Sequence, residues 1–268
     1  MAACRGPFSR SIILLSVKQK TLTYRDLISV LFRCLFIQGV WNYESMIGIG
    51  FCFCAIPVAK RLYKDPDKRE QFLRRHLYFF NAHPYFASYA LGAIAKEEEK
   101  SVRENIDQSE HIQLFKERLT GPLGLMGDRL FWDSIKPLAA ALGVLVALVA
   151  GYVGALVYLV FYNIPHLFVR IQGLWLGYKH GFQVVNYFSF KKLNRSIGWI
   201  KAASLCVVGL LVIAASHWSL AQGDAVVLAF LLSVIASFIL FRNKFSVNLI
   251  ILVIIGVGVL IGWLFYWI

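Results

Sequence analysis

The chain has 268 residues, 58% of them hydrophobic and 15% aromatic, with a net charge of +13 and a mean hydropathy of +0.62. So apolar a composition excludes a soluble globular domain of this size. The positive charge does not point to nucleic acid: the aromatic residues are spread through apolar segments, and Lys and Arg fall between those segments, as expected of cytoplasmic loops.

In chain order, MAACRGPFSRSIILLSVKQK has only the brief apolar run IILLSV and no small-residue cleavage site, so no cleaved presequence is expected. Residues 1–22 read as a cytoplasmic tail. Thr23 and Asp26 form a capping-box pattern, and Leu27, Val30, Leu31, Cys34 and Leu35 recur at helical spacing against Arg25, Asp26, Ser29 and Arg33. That is an amphipathic helix for the membrane surface. The apolar stretch IQGVWNYESMIGIGFCFCAIPVAKRLY follows, with Gln38, Asn42 and Glu44 near its start. A carboxylate is costly in lipid, so such residues face protein, a cavity or water. In DPDKREQFLRRH, Asp65 is an N-cap and Pro66 the first residue of a basic, cytoplasmic helix. Residues 79–95, FFNAHPYFASYALGAIA, are apolar but carry Asn81, His83 and Pro84. KEEEKSVRENIDQSEHIQLFKERL reads as a solvated helix pair or hairpin. Then comes GPLGLMGDRLFW, with Gly121, Pro122, Gly124 and Gly127 and the adjacent charges of Asp128 and Arg129. Irregular backbone at membrane depth is tolerated only where it is buried in protein or lines a water-filled cavity. Three such broken elements in one chain suggest a transport path.

The second half offers four apolar windows of spanning length, at about 138–163, 202–221, 225–241 and 247–268. With the basic loops at 164–201 and 242–244 on the cytoplasmic side, Asp224 and the C-terminus fall outside. AQGD (221–224) fits a tight external hairpin, Trp263 and Trp267 fit a headgroup layer, and Gly258 and Gly262 have the spacing for close helix approach. The five cysteines are odd in number; Cys52 and Cys54 lack the partner pair that a zinc site needs and read as small buried residues. The fold class is therefore an all-α integral membrane protein, a polytopic helical bundle. It has re-entrant or discontinuous helices in its N-terminal half and about four C-terminal transmembrane helices.

QGVWNYESM (38–46), RRHLYFFNAHP (74–84), KEEE (96–99) and GPLGLMGDRLFWDSIKPLAAALG (121–143) occur in that order. Together they resemble the IID component of the mannose/fructose/sorbose-family phosphotransferase system (PTS), densely over residues 22–143 and more loosely to 192. The family usually has a small residue or proline where this chain has Arg129 and a glycine where it has Asp133. The resemblance implies a sugar-permease subunit of the bacterial inner membrane, multi-pass, with a cytoplasmic N-terminus and an external C-terminus. It implies a IIC membrane partner in a hetero-oligomer, with phosphorylation of a hexose-type sugar by IIA and IIB, supplied by HPr and enzyme I. It implies no cofactor, no metal and no phosphorylation site on this chain. Residues 23–192 are then the IID core and 193–268 the C-terminal helices.

A sugar needs hydroxyl partners and an aromatic surface for its C–H face. The broken elements supply Gln38, Trp41, Asn42 and Glu44, then Asn81 and His83, then Asp128 and Trp132, with Gly121, Pro122, Gly124 and Gly127 as the backbone bend. Each residue has a plainer alternative. Asp128 pairs with Arg129 or Lys136, Asn42, Glu44 and Asn81 pack between subunits, His83 caps a turn before Pro84, and Trp41 and Trp132 are packing residues. A non-transporting regulatory or binding protein of the same descent is the second functional reading. A membrane enzyme is the third, against which no HExxH, GxSxG or Walker pattern is present.

Overall fold

A computed structural model describes residues 21–188 and 190–222, together with the single position 235. The spans expected at 225–241 and 247–268, the Asp224 turn, Gly258, Gly262, Trp263, Trp267 and the tail before residue 21 lie outside the described residues.

Every element among the described residues is helical: α1 (Tyr24–Cys34), α2 (Gly48–Leu62), α3 (Pro66–Leu77), α4 (Ala87–Glu104), α5 (Ser109–Gly127), α6 (Lys136–Ala150), α7 (Val153–His180) and α8 (Phe190–Gln222). A π-helical stretch, Asp128–Ile135, joins α5 to α6, and a 3₁₀ turn, Gly181–Tyr187, follows α7. The local start signals act as their chemistry dictates. The Thr23 N–H donates to Asp26 Oδ2 at 2.8 Å and the Asp26 N–H donates to Thr23 Oγ1 at 3.4 Å, which closes the capping box. Asp65 Oδ1 accepts the Asp67 N–H at 3.1 Å ahead of Pro66.

Buried α4 is the centre of the bundle, and its closest neighbour is α7. Their approach depends on missing side chains. A Cβ on Gly92 would stand 2.2 Å from the Leu174 carbonyl oxygen, and one on Gly177 would stand 2.3 Å from that of Tyr89. α1 and α3 pack on α2, while α8 lies against α6 and the π stretch.

Two expectations about spans are corrected. The window 138–163 is not one helix: the chain turns at Gly151, with φ +55°, and α6 and α7 pack back to back, Gly143 facing Gly154 and Tyr158. Apolar residues on both sides of the turn hide it from a hydropathy window. The segment 164–201 is not a basic loop either, because α7 runs through to His180. Among the described residues, two helical rods are long and apolar enough to cross a membrane, Ser109–Ala150 with 42 residues and Val153–Tyr187 with 35.

The predicted bend at GPLGLMGDRLFW is also absent. The backbone stays right-handed helical at Gly127 (φ −68°, ψ −45°) and Asp128 (φ −61°, ψ −46°). The anomaly is one of register: the Lys136 N–H reaches the Phe131 carbonyl, five residues back, and the Ser134 hydroxyl donates to the Arg129 carbonyl at 2.7 Å. The proline and glycines lie within α5, ahead of the widened turn, and the rod runs on through both.

Candidate functional site

Three segments meet at a cavity of about 350 Å³, a volume in the range of small-molecule sites. The loop after α1 brings Gln38, Trp41 and Ile47, the loop before α4 brings Asn81 to Pro84, and the end of α5 with the π stretch brings Thr120, Gly121, Gly124, Leu125, Asp128 and Trp132. The first two loops are tied to each other: the Ile47 N–H donates to the Phe80 carbonyl and the Phe80 N–H to the Ser45 carbonyl, each at 3.2 Å. Met46 takes φ +55° to close this pairing.

The glycines bring α5 against the 81–83 segment. A Cβ on Gly127 would stand 2.2 Å from Cβ and Cγ of His83, and one on Gly124 would come within 3.6 Å of the Asn81 carbonyl. A Cβ on Gly121 would meet nothing within 4 Å, since that position faces the open cavity. His83 is 2% exposed and lies parallel to Phe131, ring centroids 5.4 Å apart. Its Nδ1 accepts the Tyr85 N–H at 3.3 Å, so Nε2 carries the proton, and that buried donor has no acceptor among the described residues. An N–H so placed is available to a ligand oxygen.

Of the eight residues assigned to the path from sequence, the fold gathers six: Gln38, Trp41, Asn81, His83, Asp128 and Trp132. Asn42 and Glu44 do not line the cavity. The Asn42 side chain accepts the Ser45 N–H at 2.8 Å and donates to Ser45 Oγ at 2.9 Å, building the turn, and Glu44 is exposed. Asp128 forms no ion pair among the described residues. Lys136 instead lies over the Trp132 ring at 4.6 Å, and the neighbouring carboxylate of Asp133 takes Lys201 at 2.5 Å. Thr120 was missed, although a hydroxyl one turn before Gly124 on the glycine-bearing face is a readable signal.

The charged residues that hold this frame were misread as solvated. Glu97, Glu98 and Glu99 of the KEEE stretch are all buried. Glu97 accepts the Phe182 N–H at 3.0 Å, and Glu99 accepts the Leu22 N–H at 2.7 Å and the Tyr178 hydroxyl at 2.8 Å. Glu98, 1% exposed, takes the Tyr63 hydroxyl at 2.7 Å and the Arg75 guanidinium at 2.9 Å, with His76 Nε2 at 3.7 Å. Burial alone would raise the Glu98 carboxyl, but His76, Arg75 and Tyr63 hold it below the ordinary carboxylate range. Burial keeps the His76 imidazole below its own ordinary value. Lys116 is fully buried and donates to the His76 carbonyl at 3.1 Å between the rings of Phe51 and Phe80. Arg170, expected in a cytoplasmic loop, is instead 4% exposed on α7, donating to the Cys34 carbonyl and lying over Tyr85. Single-sequence hydropathy scores all of these as exterior.

The described residues thus form a helical chain with membrane-length rods and a polar, glycine-walled cavity that presents a carboxylate, amides, a hydroxyl and two indoles. Residues 21–267 match the family described as the PTS system mannose/fructose/sorbose family IID component, and the chain belongs to that family. Among its relatives, the mannose-specific EIID component of Escherichia coli K12 is 36% identical over 196 residues, 72% of this chain and 69% of that one. The fructose permease IID component of Bacillus subtilis is 32% identical over 202 residues, 75% and 72% of the two chains. Among solved structures, a chain of the cryo-EM complex of the mannose transporter ManYZ with microcin E492 aligns at a TM-score of 0.59 and 30% identity, covering 89% of this chain and 96% of that one.

Proposed function

We propose that the cavity between Gln38, Asn81 and Asp128 is this subunit's contribution to the path of a hexose-type sugar, shared with a IIC membrane subunit in the bacterial inner membrane. The observation that carries the reading is the convergence of six polar and aromatic residues, far apart in sequence, on one cavity. Asp128 accepts from sugar hydroxyls, His83 Nε2 donates, Asn81, Gln38 and Thr120 do either, and Trp41 and Trp132 offer faces to C–H groups. Gly121 and Gly124 let the ring lie close to the α5 backbone. Trp41, Trp132 and Leu125 are half exposed at the rim, which suits closure by the partner subunit.

Phosphorylation of the emerging sugar is the work of IIA and IIB, with no phosphohistidine on this chain. Residues 23–192 form the path and 193–268 the flanking C-terminal helices, with the N-terminus cytoplasmic and the C-terminus external. The test is uptake of labelled mannose, fructose and glucosamine in cells lacking their own mannose-family permease, supplied with this chain and its IIC, IIA and IIB proteins. Phosphorylated sugar accumulates, and Asp128→Asn lowers uptake about 10- to 100-fold, the worth of one charge-assisted hydrogen bond. Glu44→Gln leaves uptake unchanged. Lack of accumulation by an assembled complex would replace this reading with a non-transporting regulatory one.

A further inference from the structure

α1 and α2 run antiparallel, and between them lies a second cavity of about 320 Å³, lined by Asp26, Ser29, Arg33, Ile56, Pro57, Lys60 and Arg61. Its geometry begins with a proline. Pro57 has no N–H to offer the Phe53 carbonyl one turn back, and Arg33 from α1 fills the gap: its Nη1 donates to the Phe53 carbonyl at 3.4 Å and its guanidinium lies 4.4 Å over the Phe53 ring. That uses one of the guanidinium's five N–H donors, and Arg33 lines the cavity. Lys60 stands one helical turn after Ile56 and forms no ion pair among the described residues. The acid of the groove is already engaged, since the Asp26 carboxylate accepts from the Thr23 N–H and hydroxyl and lies 3.6 Å from Arg61 Nε. Ser29 adds a hydroxyl. Arg61 is tied to that carboxylate and donates through Nε to the Thr21 carbonyl at 3.0 Å, so Arg33 and Lys60 are the uncompensated cations of the lining.

The surface next to the groove is apolar at its Arg33 end. Phe32 of α1, Leu35 and Phe36 just after it, and Ile49 and Phe53 of α2 are exposed, and Phe53 lies directly under the Arg33 guanidinium. Lys60, Arg61 and Lys64 mark the other end, where the apolar part of α2 gives way to charge. A cationic socket at a helix terminus that opens onto an apolar surface matches an anionic phospholipid, phosphate at the socket and acyl chain along the phenylalanines. A soluble anion would have no use for the apolar half, and a zwitterionic lipid would bring its own ammonium into a cationic site.

We propose that the α1–α2 groove is a binding site for an anionic glycerophospholipid, held by Arg33, Lys60, Arg61 and Ser29, and distinct from the sugar cavity. The experiment is native mass spectrometry of the full chain assembled with its membrane partner. The complex is titrated with phosphatidylglycerol, with phosphatidylcholine of the same acyl chains, and with inorganic phosphate. One phosphatidylglycerol per chain is retained at least tenfold more tightly than phosphatidylcholine, and inorganic phosphate does not displace it. Lys60→Gln weakens retention about fivefold and Lys60→Arg restores it, in line with the worth of one surface cation. Arg33→Gln weakens it further but also orphans the Phe53 carbonyl, so the exposed Lys60 pair carries the decision. Equal retention of the two lipids, displacement by phosphate, or no effect of Lys60→Gln would each overturn the proposal.

Discussion

The glycines at 121 and 127 face different surroundings on one helix, and alanine at each separates two explanations of why they are there. At Gly127 a methyl group would stand 2.2 Å from Cβ and Cγ of His83, and the side chain cannot withdraw because its ring is buried between Phe131 and Tyr85. Helix propensity favours alanine over glycine by about 1 kcal/mol, while overpacking a tight contact costs about 1–3 kcal/mol. With a 2.2 Å approach to a fixed ring, the upper part of that range applies, and Gly127→Ala destabilises by about 1–2 kcal/mol net. At Gly121 the new methyl meets nothing within 4 Å, so the propensity gain of about 1 kcal/mol stands uncancelled. Thermal unfolding of the purified protein, followed by tryptophan fluorescence, moves in opposite directions for the two variants. Sugar uptake by Gly121→Ala falls in spite of its greater stability, because the methyl intrudes on the cavity. Equal loss of stability at both positions would refute this account and return the glycines to the role of a backbone bend.

Acidification tests the buried Glu98 cluster. Glu98 and His76 both have native pKa values below their unfolded ones, so the native state binds fewer protons and stability is lost as the pH drops. The loss due to His76 begins below about pH 6.5 and that due to Glu98 below about pH 4.3. Glu98→Gln flattens the acid limb of a midpoint-against-pH curve and costs about 1–3 kcal/mol at neutral pH by leaving Arg75 and Tyr63 short of an acceptor; an unchanged acid limb would contradict the assignment. Gly92→Ala pushes a methyl against the Leu174 carbonyl and lowers stability by about 2 kcal/mol or more, measured in the same unfolding assay. Breaking the half-exposed Asp133–Lys201 pair with Lys201→Ala changes stability by less than about 1 kcal/mol; a larger effect would make that contact structural.

What was legible in the sequence is what chemistry decides within a few residues. Thr23 with Asp26 and Asp65 with Pro66 start their helices wherever the rest of the chain goes. Six of the eight residues expected to gather were legible as cavity-lining because a polar side chain inside an apolar run needs a destination, and these six share one. Asn42 failed because an amide can satisfy its own turn as readily as a ligand, and the sequence around it looks the same in either case. The glycines at 121–127 were read as a bend because their use depends on what lies opposite, namely His83 and Asn81, some forty residues earlier. Glu97 to Glu99 looked solvated because the partners that accept their burial come from residues 22, 63, 75, 178 and 182.

Those three glutamates are consecutive on a helix, so they leave α4 in directions about 100° apart. One is pinned to the chain before α1, one to α2 and α3, and one to the turn after α7. Any rotation of α4 about its own axis that favours one of these contacts breaks another, and each broken contact strands a buried carboxylate. The helices around α4 are thereby locked as a single gear that cannot slip tooth by tooth. Any larger motion must carry that block whole, and the Gly151 corner, where α6 turns back on α7, lies outside its grip.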